Sequence, residues 1–284
     1  MRTLTILLAT LLLVGCHATF FGAVNAVQPA VGVVEHRDNV FDAEHGLSLD
    51  VYTPAHADRA PVVVYFYGGD WTTGKRQWYR WVGKALAAQG IVAVIPDYRL
   101  SPSVRMDGFL HDGANAVRWT RDHVARYGGD PSHLFVMGHS AGGQIAAMLA
   151  TDKQWLSTVG MKPRDLSGFI GVAGAYDFLP LDEPRYLAMF GDTPEEQARS
   201  QPVNFVDGDE PPALLLQGEE DTEVFPSEAI SLEGRYRQMG EPVELKLYPA
   251  LGHEELVFAL GPLHRTAPVM HDVMDFIRGR ARPH

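Results

Sequence analysis

A serine with small neighbours stands at a junction that few folds provide. Gly138-His139-Ser140-Ala141-Gly142 lies between the apolar run Leu134-Phe135-Val136-Met137, which reads as a strand, and the stretch from Gln144 to Ala150, which reads as a helix. A strand that passes straight into a helix needs a tight turn, and small residues two before and two after the serine let the backbone make it. Such a turn lifts the Ser140 hydroxyl clear of the sheet. The five-residue pattern alone recurs by chance; the strand before it and the helix after it give it weight.

From Val31 onward, short apolar runs alternate with amphipathic stretches, the signature of an α/β fold with a mostly parallel sheet covered by helices. Val33 to Val40 and Leu47 to Tyr52 read as two early strands joined by a turn at Glu44-His45-Gly46, forming an antiparallel edge. Val62 to Tyr67 and Ile91 to Ile95 are continuous apolar runs, as expected for strands buried on both faces. Gln77 to Ala88 and Asp107 to Tyr127 read as helices, the second ending at a turn through Gly128-Gly129-Asp130-Pro131. Beyond the serine, Phe169 to Ala173, Ala213 to Leu216 and Val243 to Tyr248 continue the sheet. Ser227 to Met239 and Leu263 to Arg278 are the late helices, with Pro268 expected either near the first turn of the last one or at a kink in it. The proline- and acid-rich segment from Tyr176 to Pro212 follows neither period. It reads as a small cap insertion over the carboxyl edge of the sheet, where such folds bind substrates.

With 284 residues, the chain fits one domain over 31–284 behind a leader. Its formal charge of −11 and the lack of any basic run exclude nucleic acid as a partner, since phosphates require clustered Lys and Arg. At the start, Arg2 precedes an apolar run from Leu4 to Val14, too short to span a bilayer, so residues 1–15 read as a signal peptide. Leu13-Val14-Gly15-Cys16 resembles the lipobox of bacterial lipoproteins, which implies cleavage before Cys16 and lipid attachment to it. Cys16 is the only cysteine, so there is no intramolecular disulfide and no multi-cysteine metal site. Residues 16–30 would be a tether, and the membrane a partner only through that lipid. His17, where aspartate marks inner-membrane retention in many lipoproteins, favours the outer membrane of a bacterial envelope. A secreted or periplasmic soluble chain is the alternative.

Five motifs in order carry a further resemblance. Tyr67-Gly68-Gly69-Asp70-Trp71 matches H-G-G-x-W, and Asp97-Tyr98-Arg99-Leu100 with Pro102 matches D-Y-R-L-x-P. Gly138 to Gly143 is G-H-S-A-G-G, Gly218 to Val224 fits G-x-x-D-x-x-V, and Gly252-His253 fits a late G-H. From about Val33 to the C-terminus the chain resembles the α/β-hydrolases of the esterase and lipase group, in particular the compact branch of carboxylesterases, feruloyl-type esterases and arylformamidases. The resemblance implies an α/β-hydrolase fold with about eight strands. It makes Ser140 the nucleophile, His253 the general base and acid, and Asp221 the orienting carboxylate, in the chain order Ser, Asp, His. The amides of Gly68, Gly69 and Ala141 would form the oxyanion hole, where backbone donors stabilise charge on the former carbonyl oxygen.

Two departures stand out. Tyr67 replaces the family's leading histidine, so a formed hole with altered loop packing is expected. Asp70 adds a charge beside the hole, either repelling anionic substrates or facing solvent. Glu219, Glu220 and Glu223 crowd Asp221, and Asp97, read as the ion-pair partner of Arg99, is a distant second acid. His139 is expected to shape the turn, Glu254 and Glu255 to face solvent, and Trp71 either to line the acyl pocket or to pack beneath the glycine loop. No grouping has metal-ligand spacing and no phosphate loop opens a helix, so neither metal nor cofactor is expected. The implied activity is hydrolysis of a small-molecule or polymer-attached carboxylic ester. The same triad could instead serve an arylformamidase-like amide hydrolase or a peptidase, and a non-catalytic surface binding lipoprotein is the alternative from another class. The residues carry no reading of oligomeric state.

Overall fold

In the computed structural model, which describes residues 19–261 and 265–280, the apolar runs and amphipathic stretches alternate as strands and helices. The leader and Cys16 lie outside the described residues. Residues 19–27, inside the stretch expected as a tether, form a helix, α1. Phe21 of α1 stacks on Trp78 with centroids 5.2 Å apart, and Asn25 Oδ1 accepts from the Trp81 amide at 2.8 Å.

β1 (Val33–Asp42) and β2 (Leu47–Pro54) form the antiparallel edge. β3 (Ala60–Phe66) follows, then a short 3-10 turn at Arg76–Tyr79 and α2 (Arg80–Ala88). Next come β4 (Val92–Pro96), α3 (Met106–His123), β5 (Gly129–His139), α4 (Ala141–Thr151), α5 (Lys153–Ser157) and β6 (Gly168–Val172). The insertion carries two short helices, α6 (Pro184–Phe190) and α7 (Pro194–Ala198). β7 (Ala213–Gly218), α8 (Pro226–Met239), β8 (Val243–Tyr248), α9 (His253–Phe258) and α10 (Val269–Gly279) complete the chain.

The sheet has eight strands in the order β1-β2-β4-β3-β5-β6-β7-β8. β2 runs against its neighbours β1 and β4, and every other pairing is parallel. This is the α/β-hydrolase fold. Val62, Val63 and Val64 of β3 and Val92 to Ile95 of β4 have no solvent exposure, because helices cover both faces of the central strands. β8, at the edge, is only partly covered.

Several elements differ from the sequence reading. Only Gly128, at φ +78°, makes the turn before β5; Gly129 already pairs with Ala60, so the expected four-residue turn is strand. α10 starts at Val269 with Pro268 as its N-cap, since proline is tolerated where an amide needs no partner. α9 was missed because a six-residue helix is too short to display a period.

The expected Asp97–Arg99 ion pair does not form. Arg99 binds Asp112 of α3 instead, donating from Nη2 at 2.7 Å and from its amide at 2.8 Å. Asp112 is fully buried and requires a cation. Asp97 pairs with the buried Arg76, whose Nε also donates to Asp50 at 3.0 Å and which binds Asp38. Arg76 thus ties β2 and the end of β4 to the segment that follows the glycine loop.

Candidate active site

The turn between β5 and α4 leaves no room for side chains. A Cβ on Gly138 would fall on the Gly142 carbonyl oxygen, and a Cβ on Gly142 would fall on that of Phe66. Ser140 sits at φ +55°, a left-handed conformation costly for a residue with a Cβ, held by its amide donating to Val172 O at 3.1 Å. Its hydroxyl therefore stands at the carboxyl end of the central strands. Ala141 is the first residue of α4, so its amide has no partner within the helix.

Asp221 lies just past β7, and its Oδ2 is 2.8 Å from His253 Nδ1. Both side chains are buried. His253 opens α9 rather than sitting in an open loop. Asp221 Oδ1 accepts from the amides of Glu223 and Val224, each at 2.9 Å, and Oδ2 accepts from Gln217 Nε2 at 3.0 Å. Burial alone would raise the Asp221 carboxyl; the imidazole and these donors outweigh it and hold the group below its ordinary value. Position on the loop separates Asp221 from Glu219, Glu220 and Glu223, since it alone bonds the imidazole among them. Gln217, fully buried, was missed in the sequence, where a strand-end glutamine carries no signal.

Burial also pulls His253 down, but the bond and charge of Asp221, aided by Glu223 and Glu254, win and leave it above its ordinary 6.5. His139 stands beside it, ring centroids 4.7 Å apart, with its Nε2 3.3 Å from the His253 carbonyl oxygen.

Tyrosines fix the glycine loop. Tyr67 is buried and stacks between Tyr79, at 5.3 Å, and Tyr98, at 4.6 Å. Tyr98 Oη donates to the Tyr67 carbonyl at 2.7 Å, and Tyr79 Oη to that of Gly68 at 3.4 Å. In a planar trans peptide the amide points opposite its carbonyl, so these two bonds aim the Gly68 and Gly69 amides away from the tyrosines. Asp70 is half-buried and does not stand as a free charge. Its Oδ1 accepts from Tyr186 Oη at 2.8 Å and it pairs with Arg185, which joins the glycine loop to α6. Trp71 is buried, donates from Nε1 to Gln144 at 3.2 Å, and meets Phe190 edge-on at 5.0 Å.

Ser140, His253, Gly68, Gly69 and Ala141 all line one cavity of about 840 Å³, together with Trp71, residues of the 176–212 insertion and Phe21 of α1. Cys16 lies outside the described residues. Among the described residues no group of His, Cys, Asp or Glu could hold a metal ion.

A family model, BD-FAE, matches residues 49–236. The chain belongs to the BD-FAE family. Esterase LipC of Mycobacterium tuberculosis is 30% identical over 277 residues, 88% of this chain and 68% of that protein. Isoprenylcysteine alpha-carbonyl methylesterase ICME of Arabidopsis thaliana is 27% identical over 236 residues, 76% of this chain and 55% of that protein. The chain thus spans about half the length of the plant relatives it matches. Esterase B from Lactobacillus rhamnosis superimposes with TM-score 0.78 at 22% identity, covering 99% of this chain and 96% of that one. A truncated carbohydrate esterase from gut microbiota gives TM-score 0.73 at 20% identity, covering 87% and 96%.

The carboxylates around His253 favour its protonated form, so the imidazole is expected to titrate above 6.5 by NMR, and Glu254→Gln to lower that midpoint. A wild-type midpoint at or below 6.5 contradicts this electrostatic account.

Proposed function

We propose that this chain is a serine hydrolase of carboxylic esters that works through an acyl-enzyme. The observation that carries the proposal is the Asp221–His253 hydrogen bond, with His253 lining the same cavity as a serine raised on a strand-to-helix turn. A serine hydroxyl is a weak nucleophile near neutral pH and needs an imidazole to take its proton. In this reading Ser140 Oγ attacks the ester carbonyl carbon while His253 accepts the proton. Asp221, anchored by Gln217 and two backbone amides, holds the imidazole in one tautomer and stabilises its cation. The oxyanion is received by the amides of Gly68, Gly69 and Ala141. Collapse breaks the bond to the alcohol, which leaves with the proton from His253. Water, deprotonated by the same imidazole, then releases the acid and restores Ser140. Esterase names among the relatives, and Esterase B solved with a tributyrin phosphonate, support the reading.

Hydrolysis of short-chain p-nitrophenyl esters is the test. Turnover is expected, with Ser140→Ala lowering kcat/KM by at least about 10³-fold. A folded protein that cleaves N-formyl aromatic amines but no ester would overturn it.

The leader and Cys16 support a second proposal: lipid attachment at Cys16 holds the enzyme to the bacterial envelope. Because α1 begins three residues later and Phe21 lines the cavity, the anchor would tether the molecule on its catalytic side. Mass spectrometry of the protein from a bacterial host is expected to find a diacylglyceryl-modified Cys16 at the mature N-terminus; an unmodified Cys16 would refute it.

A further inference from the structure

The cavity beside Ser140 is built with an excess of negative charge. Arg185 is the only lysine or arginine among its lining residues, and it is already engaged by Asp70 and Glu183. Asp177, Asp182, Glu223, Glu228 and Glu254 also line the cavity, and the structure shows no ion pair between any of these five and a lysine or arginine among the described residues. Like charges gathered in a cleft with low-dielectric walls focus a field that concentrates counter-ions and repels co-ions. Burial pushes Glu228 up to about 7, so near neutral pH it carries only part of a charge, while desolvation and the charges of Glu223 and Glu255 push Glu254 upward.

The walls between these carboxylates are aromatic: Trp71, Trp78, Phe178 and Tyr186 face the same space. Ring faces attract cations and gain most where water is displaced. His139 adds an independent observation. The His253 carbonyl can only accept, so the bond between them puts the His139 proton on Nε2 and leaves Nδ1 a bare acceptor. That nitrogen is buried and has no partner, although His139 lines the cavity. The position where a Cβ on Gly68 would stand is 2.9 Å from it and 3.1 Å from Ser140 Cβ, so the unmet acceptor lies next to the reacting serine. Buried acceptors are normally paired, and this one stays open beside a catalytic group.

Resting on the esterase reading of this site, we infer that the preferred substrate is an ester carrying a protonated amine, drawn in by Asp177, Asp182, Glu223 and Glu254. A neutral polyol could supply donors but would leave these charges uncompensated. An anionic ester would meet repulsion at the mouth.

The test compares 2-(dimethylamino)ethyl acetate, cationic near neutral pH, with its neutral isostere 3-methylbutyl acetate, using p-nitrophenyl acetate as the reference for esterase activity. At low ionic strength kcat/KM is expected to be about tenfold or more higher for the cationic ester, and the ratio to shrink severalfold in about 0.5 M salt. Replacing Asp177→Asn and Asp182→Asn together should lower that ratio. Hydrolysis of p-nitrophenyl acetate with equal or better use of the neutral isostere, or a preference indifferent to salt, would overturn the inference and leave the esterase reading standing. Failure to hydrolyse any of the three would remove both.

Discussion

Backbone packed on backbone at the turn around Ser140 is the constraint on which the chemistry depends. Gly138 and Gly142 allow β5, α4 and the end of β3 to approach without intervening side chains, and the glycine loop that follows β3 thereby comes to rest against Ser140. The same contact explains why a non-glycine residue is kept at φ +55°. The sheet and α4 over-determine that conformation, so its cost of about 1–3 kcal/mol is met by the surrounding fold. Had either glycine carried a Cβ, Ser140 and the amides of the glycine loop would be pushed apart together.

Around that fixed centre the remaining parts are held by polar groups from distant segments. Asp221 is oriented by four donors, His253 by Asp221, and the glycine loop by the hydroxyls of Tyr79 and Tyr98. The tyrosine stack gives the substitution at Tyr67 its physical meaning. The Tyr67 ring is held by packing, while the hydroxyls of Tyr79 and Tyr98 fix the peptide planes. Asp70 has a comparable part, since its contacts with Arg185 and Tyr186 link the loop to the insertion that walls the cavity.

Much of this was legible in the sequence for a simple reason: buried parallel strands are written as uninterrupted apolar runs, and turns that require glycine are written as glycine. Those two signals placed Ser140 after β5, Asp221 after β7 and His253 after β8, and the ordered motifs of the resemblance singled them out. What was not legible involves partners set by the fold. Asp97 and Arg99 are two residues apart and of opposite charge, yet buried Arg76 and buried Asp112 claim them separately. Glycine, aspartate and proline at 128–131 mimic a long turn, though pairing with β3 makes strand of all but Gly128. Helix α1 was hidden because residues 16–30 read as a tether behind the leader, although Phe21 and Val24 pack against the core. The carboxylates lining the cavity come from five separate segments, so their common field exists only in the folded chain.

The central claim is that Ser140, activated through His253 and Asp221, is the group that bonds to the acyl carbon. Reaction with an alkyl fluorophosphonate, followed by peptide mass spectrometry, tests it most directly because phosphonylation requires nucleophile, base and oxyanion donors together. One phosphonyl group per chain on the peptide containing Ser140, lost in Ser140→Ala and strongly slowed in His253→Ala, is the predicted result. An unlabelled folded protein, or a label on a different serine, would contradict the account.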